Sequence, residues 1–358
     1  MRPIVIAEAG VNHNGDFGLA CALADEAKKA GADVVKFQTF KSSRLVTKTI
    51  SKAGYQVKNT ESAESQYEML RRLELSFGEF KRLKKYCDDI GIQFYSTAFD
   101  SESLNFLVSD LDLKSLKIPS GDLDNAPFVL EHARCGSNII LSTGMASVGE
   151  IEQALAVLAY GFTSRRSENP NLNDIFDAYY SDLGQEALKK KVTLLHCTTA
   201  YPTPCENVHL NVMSTLKHTF GLPVGLSDHS AGIAVPIAAA ALGARVIEKH
   251  FTLDKSMEGP DHSASLDPAE LREMILGINE AYLALGSTVK IMFADELANR
   301  DVARKCIVAT KLIEHGDEFS AANIEIKRAG RGMAPIHYWD LLGKTAKRRY
   351  SPGQILNE

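Results

Sequence analysis

A chain of 358 residues and 39.1 kDa exceeds one average domain. At about 100–200 residues per domain the prior is two, although one (β/α)8 barrel alone occupies roughly 250. With 45% hydrophobic and 24% charged residues the chain can bury a core and is not disordered. A net charge of −5 and a pI near 6.1 argue against nucleic acid as the main partner. They leave phosphate and carboxylate substrates open, because a few local cations bind them inside an acidic protein. The six cysteines are scattered without a C-x-x-C pair, a pattern expected of reduced thiols in a cytoplasmic protein. The N-terminus MRPIVIAEAGVNHNGD has no apolar h-region or cleavage site, so it does not read as a signal peptide. The most apolar stretch, Ala231–Ala244, is broken by Pro236 and Gly243 and falls short of the roughly 20 residues of a membrane span.

Strands are expected at Ile4–Ala7, Val34–Phe37, Gln93–Ser96, Ser115–Ile118, Ile139–Ser142, Val192–His196, Pro223–Leu226 and Arg245–Lys249. Amphipathic helical patterns lie between them, among them Phe17–Ala30, Phe77–Asp89, Gly149–Tyr160 and Pro268–Leu285. Eight strands alternating with helices predict an α/β protein with a parallel sheet, and eight is the number that closes a TIM barrel. A doubly wound open sheet is the weaker alternative, because no G-x-G-x-x-G follows the first strand. Phe162–Lys190 is too long for an ordinary helix-to-strand connection of about 2–6 residues and reads as a partly helical insertion. The expected division is a barrel over 1–286, a linker over 287–303 and a turn-rich appendage over 304–358. Short strands are expected in the appendage at Cys306–Ala309, Ile324–Lys327 and Thr345–Arg349. From Ser287 onward 12 Lys+Arg face 9 Asp+Glu, a net of +3, which leaves −8 on the barrel.

Barrel active sites form at the C-terminal ends of the strands. Those ends carry Glu8 in the first strand, Lys36 and Gln38 in the second, and Lys117, Ser120 and Asp122 in the fourth. They continue with Ser142 and Thr143 in the fifth, Thr199 and Tyr201 in the sixth, and Asp228 and His229 in the seventh. The eighth adds Glu248, Lys249 and His250. His229 and His250, on adjacent strands about 4.8 Å apart, can reach one ion. Two imidazoles with no third protein ligand leave positions for substrate and water, and they accept Mn, Co, Ni, Fe or Zn. The alternative is a pair of structural histidines hydrogen-bonded to carboxylates. Lys36 and Lys117 on apolar strands call for a counter-charge, either an anionic substrate or internal glutamates. Ser120-Gly121 and Ser142-Thr143-Gly144 suit a phosphate near helix starts. Glu8 suits general acid–base work if burial raises its pKa, or serves as a lysine counter-ion. Asp16 suits capping of the first helix.

The segments IAEAGVNHNGD (6–16), VVKFQTF (34–40), KIPSGD (117–122), LSTGM (141–145), LHCTTAYPTP (195–204), GLSDHS (225–230), IEKHFTLD (247–254) and GPDHSAS (259–265) closely resemble the sialic acid synthase family. KRAGRGMAP (327–335) and LLGKTAKR (341–348) resemble that family's antifreeze-like domain, a small β-clip fold of the type III antifreeze protein kind. The resemblance implies an enzyme that condenses phosphoenolpyruvate with an N-acylated mannose-type sugar. N-acetylmannosamine, giving N-acetylneuraminate, is the first reading. The alternative is 2,4-diacetamido-2,4,6-trideoxymannose, giving N,N'-diacetyllegionaminate. It implies metal-binding His229 and His250, with manganese first and magnesium or cobalt as alternatives. Phosphoenolpyruvate is implied at Lys36, Lys117, Ser120, Ser142 and Ser227, and the sugar at Gln38, Asp122, Tyr201 and Asp261, with Glu8 near the reacting carbons. Asn59 matches a further active-site asparagine. Arg328 matches an arginine that reaches the sugar's N-acyl group from the partner subunit, implying a domain-swapped homodimer. The chain has Asp122 where the family usually has Glu, and Thr199, a phosphate contact, where some members have Asn. Two other classes compete with this reading: a Schiff-base aldolase using Lys36, Lys117 or Lys249, and a non-enzymatic ice- or carbohydrate-binding module.

Overall fold

A computed structural model describes residues 2–60, 64–165 and 169–357. The chain divides into two compact units, Met1–Gly286 and Ser287–Glu358. In the first, eight parallel strands close on themselves in sequence order, which rules out the open sheet. They are β1 Ile4–Gly10, β2 Val34–Thr39, β3 Gln93–Ala98, β4 Ser115–Ile118, β5 Asn138–Ser142, β6 Val192–Cys197, β7 Val224–Asp228 and β8 Val246–His250. β1 pairs with both β2 and β8, completing the ring.

Strand side chains alternate between two faces, and here the faces meet different cores. Val5, Ala7, Val35, Phe37 and Ile247 pack outward against the helices. Ile6, Val34, Ile140, Leu195 and Val246 form a separate inward cluster at the barrel centre, with Tyr95 against it. β7 places Gly225 beside this layer. A Cβ there would lie 2.2 Å from the Val246 carbonyl oxygen and 2.8 Å from Leu195 Cδ2, so glycine is required by space.

The helices start and stop on local signals. Asp16 accepts from the Leu19 amide at the start of Phe17–Ala30, which ends on left-handed Gly31. Ser76 with Glu79, Ser147 with Glu150 and Asp267 with Glu270 form reciprocal capping boxes on three further helices. The expected insertion is partly helical: the preceding helix runs on to Thr163, and helices Leu172–Tyr180 and Asp182–Lys191 follow. Its residues 166–168 lie outside the described residues.

The second unit has its own core around Ile307, Phe319, Ile324, Leu341 and Tyr350. β9 Cys306–Ala309 and β10 Ile324–Lys327 pair antiparallel. One expected stretch gains detail here and one expectation fails. Residues 294–303 of the expected linker form a helix, with Asp295 and Glu296 in its first turn favouring the helix dipole. Thr345–Arg349 is not a strand; the segment makes only isolated bridges, Thr345 to Glu318 and Tyr350 to Ile313. Among the described residues no helix is long and apolar enough to cross a membrane. None of the six cysteines is in a disulfide.

Two fully buried histidines, His13 and His132, are pushed down to about 4 by burial. In His132, Nδ1 faces the Phe128 carbonyl, so an added proton would sit on the buried, partnerless Nε2; in His13, Nδ1 already accepts from the Gly15 amide, so an added proton there would meet a donor. An unfolded histidine titrates near 6.5, so between pH 6.5 and 4 the unfolded chain takes up protons that the fold refuses. Stability present above pH 6.5 should therefore fall as the pH drops through this window, by about 3 kcal/mol for each histidine. Urea midpoints measured from pH 7.5 to 4.5 check this, and His132→Asn or His132→Gln should flatten the profile.

Candidate active site

The alternation that builds the barrel core also builds the floor of a cavity. Two residues beyond the central apolar layer, on the same face, stand Glu8 after Ile6, Lys36 after Val34 and Thr97 after Tyr95. Ser142 follows Ile140, Cys197 follows Leu195 and Glu248 follows Val246 in the same way. Strand register sets them side by side: Glu8 pairs with Lys36 and with His250, Thr97 with Lys117, and Ser227 with Glu248. All of them line one cavity of about 360 Å³ at the C-terminal ends of the strands.

Four charges alternate across this floor. Lys36 Nζ lies 2.6 Å from Glu8 Oε2 and 3.7 Å from Glu248 Oε2. Lys117 Nζ donates to both Glu248 oxygens, at 2.8 and 3.0 Å. Lys36 also donates to Thr97 Oγ1 at 3.1 Å, and Ser227 Oγ donates to Glu248 at 3.1 Å. Gln38 Nε2 lies 3.3 Å from Glu8 Oε1. Burial works to raise Glu248, but Lys117 and Lys36 outweigh it and hold the carboxyl well below the usual range. Glu8 has the weaker pairing. Burial pushes it up to about 7 in spite of Lys36, which suits a group that gains and loses a proton near neutrality. The lysines thus have internal glutamate partners as well as a place on the cavity wall.

Beside the quartet stand the two histidines, their rings 5.5 Å apart, with Tyr201 4.3 Å from His229. His229 Nδ1 lies 2.9 Å from the Thr198 carbonyl oxygen, which fixes Nδ1 as the donor and leaves Nε2 as the lone-pair nitrogen. His250 Nδ1 is buried without a hydrogen-bond partner. Burial, followed by the neighbouring His229 and Lys36, holds His250 well below its ordinary value, so its imidazole is neutral. Two imidazoles, one oriented by the Thr198 carbonyl and one neutral with a buried unsatisfied nitrogen, fit a divalent ion. Among the described residues no group of three or more His, Cys, Asp or Glu side chains could hold a metal.

Of the residues expected from sequence, Glu8, Lys36, Gln38, Lys117, Ser120, Ser142, Thr199, Tyr201, Ser227, His229, His250 and Asp261 all line this cavity. Burial raises Asp261 to about 6. Three others do not converge in this way. Asp122 stands at the far end of the one-turn helix Ser120–Asp122, of which Ser120 and Gly121 line the cavity, and it accepts from Asn125 at 3.1 Å. Asn59 is set back and donates to the Pro260 carbonyl at 2.6 Å, bracing the loop that carries Asp261. Arg328 is exposed in the second unit, just after β10. Lys249 is ruled out as a cavity nucleophile. It is fully buried, lies 2.5 Å from Asp228 Oδ2 and donates to the Ser230 carbonyl.

Thr97, Cys197 and Glu248 are cavity residues that the strand-end reading missed or left without a role. Thr97 escaped because β3 runs two residues past its expected end at Ser96. Following each strand's inward face for two residues beyond the apolar layer would have found all three.

A family model described as the NeuB family matches residues 23–290. The chain belongs to the NeuB family of sialic acid synthases. It is 43% identical to an N,N'-diacetyllegionaminic acid synthase of Campylobacter jejuni, over 100% of this chain and 99% of that protein. It is 41% identical to the N,N'-diacetyllegionaminic acid synthase of Legionella pneumophila, over 99% of this chain and 94% of that protein. Among solved structures, an N-acetylneuraminic acid synthetase of Leptospira borgpetersenii in complex with citrate matches with a TM-score of 0.67 and 30% identity. That match covers 85% of this chain and 93% of the other.

The quartet makes a stability prediction independent of activity. Glu248→Ala leaves Lys117 without its carboxylate partner and should destabilise the barrel by about 3–5 kcal/mol. Chemical denaturation checks it, and Lys117→Met combined with Glu248→Leu should recover much of the loss.

Proposed function

We propose that the chain is an N,N'-diacetyllegionaminate synthase, joining phosphoenolpyruvate to 2,4-diacetamido-2,4,6-trideoxymannose with release of phosphate. The observation that carries this reading is the 43% and 41% identity, over essentially whole lengths, to two proteins of that name. The same comparison favours this acceptor over N-acetylmannosamine, the first expectation from sequence.

In the proposed reaction C3 of the enol phosphate forms a bond to the aldehyde carbon of the open-chain sugar, and the aldehyde oxygen takes up a proton. Water adds to C2, and the tetrahedral intermediate expels phosphate by C–O cleavage, leaving the 2-keto acid. Lys36 and Lys117 bind the carboxylate and phosphate, and Ser120, Ser142, Ser227 and Thr199 supply hydroxyls around them. The gain is chiefly one of orientation. Entry of the anion would redirect the lysines from Glu8 and Glu248, so the glutamates keep the cations from being uncompensated while the cavity is empty. Glu8, held near 7, is the proton carrier. His229 and His250 would hold a divalent ion, manganese being the first candidate with magnesium or cobalt behind it. Bound there, such an ion supplies Lewis-acid polarisation of a carbonyl. Gln38, Tyr201 and Asp261 are assigned to the sugar. The second unit, as an antifreeze-like domain, would bring Arg328 to the N-acyl group within a swapped homodimer.

The test is phosphate release from phosphoenolpyruvate against a panel of N-acylated mannose sugars, with the diacetamido-trideoxy sugar expected to be used best. Glu8→Gln should lower kcat by about 10²–10⁴-fold. His229→Ala should abolish the stimulation seen when metal is returned to chelated protein, and normal metal-stimulated turnover in that variant would sink the metal assignment. Arg328→Ala should raise KM for the sugar more than KM for phosphoenolpyruvate.

A further inference from the structure

The cavity has two chemically different sides. The charged floor and the histidines come from the strands themselves. The opposite wall, over β1–β3, comes from the segments that follow β2 and is mostly apolar: Phe40, Leu45, Met69, Leu70 and Leu73 all line it. These residues form a hydrophobic cluster of their own, separate from the barrel core. Two amide side chains interrupt the wall. Gln66 Nε2 donates to Gln56 Oε1 at 3.2 Å, and that oxygen also accepts from the Ala53 amide at 3.0 Å. Gln56 is thereby held in place beside Gln66, and both line the cavity.

We propose that this wall is the surface that selects the acceptor sugar, with Gln66 reading a second N-acyl group and Leu45 and Leu70 receiving the deoxy, methyl-bearing end of the sugar. The inference rests on the phosphoenolpyruvate-condensing reading and deepens it. The anionic substrate needs both lysines, so the acceptor's aldehyde carbon must sit beside it and its other substituents must extend across the remaining space. An amide lined up with amides satisfies both its N–H and its C=O, while its methyl group and the sugar's own methyl bury apolar surface. A hydroxymethyl group on the same wall would lose water without gaining a partner. A phosphate would fare worse: among the described residues, the only Lys or Arg side chains lining the cavity are Lys36 and Lys117.

The test compares kcat/KM for 2,4-diacetamido-2,4,6-trideoxymannose and N-acetylmannosamine, at saturating phosphoenolpyruvate, in the full-length protein and in Gln66→Leu and Leu70→Asn. Leu45 and Leu70 are half-buried, and Leu45→Asn probes the same wall from another segment should Leu70→Asn fail to fold. The wild type should favour the diacetamido sugar by on the order of a hundredfold, the range that loss of matched polar and apolar contacts supports. Each substitution should reduce that preference by about tenfold or more through loss on the diacetamido sugar, with KM for phosphoenolpyruvate unchanged. Equal use of both sugars by the wild type, or an unaltered preference in folded variants, overturns the proposal while leaving the condensing activity standing. No phosphate release with any sugar overturns the condensing reading, and the proposal with it.

Discussion

Everything at this site depends on how four buried charges share one barrel mouth. Glu8, Lys36, Glu248 and Lys117 form a contact chain of alternating sign, supplied by the neighbouring strands β8, β1 and β2 and by β4, with each cation within reach of a carboxylate. Isolated, any one of them would cost several kcal/mol to bury; together they are tolerable, and they lie where an anionic substrate must enter. The arrangement is asymmetric. Glu248 touches both lysines and a serine hydroxyl and stays ionised, whereas Glu8 has one close lysine and is pushed up to about 7. Two carboxylates of similar chemistry are thereby separated into a fixed counter-charge and a proton-exchanging group by environment alone.

The barrel turns this electrostatic arrangement into a positioned one. A strand is stiff, and its side chains repeat every second residue, so the packed layer of Ile6, Val34, Ile140, Leu195 and Val246 holds the polar layer directly above it. The loops around the site are tied down as well. Asn59 braces the loop bearing Asp261, and Asn12 spans from the end of β1 to the Phe251 carbonyl and Ser265. Apolar side chains from the segments after β2 close the other side, giving the cavity one wall suited to anions and one suited to N-acyl and methyl groups.

Much of the site was legible in the sequence because the fold places chemistry at regular positions. Polar residues after short β-branched runs marked Glu8, Lys36, Lys117, Ser142, His229 and His250, the family resemblance added Ser227, and the eight-fold alternation marked the barrel itself. What escaped was short-range and geometric. Asp122 and Ser120 are two residues apart, yet one turn of helix sends them in different directions, and periodicity cannot tell which of the two faces inward. Thr97 was hidden by a strand end misplaced by two residues. The helix at 294–303 was hidden because a stretch starting with a run of exposed residues reads as a connector until its first-turn acids are recognised as dipole partners. Phe40, Met69, Leu70 and Leu73 carried no sequence signal of a cavity wall, since an apolar side chain lining a cavity has the same sequence pattern as one filling it.

Residue identity and period-two alternation are local properties, so the order of amino acids alone was enough to assign the type of each group and the strand that carries it. It was also enough for family membership, since the motifs occur in order along nearly the whole chain. Folding in three dimensions settled which carboxylate serves which lysine, which imidazole nitrogen is unsatisfied and which wall of the cavity is apolar. Those outcomes depend on ring closure, which brings β8 against β1 and sets residues from opposite ends of the barrel sequence side by side, as in the Glu8–His250 pair. Burial and partner distance, the two quantities that separate Glu8 from Glu248, exist only once that ring has closed.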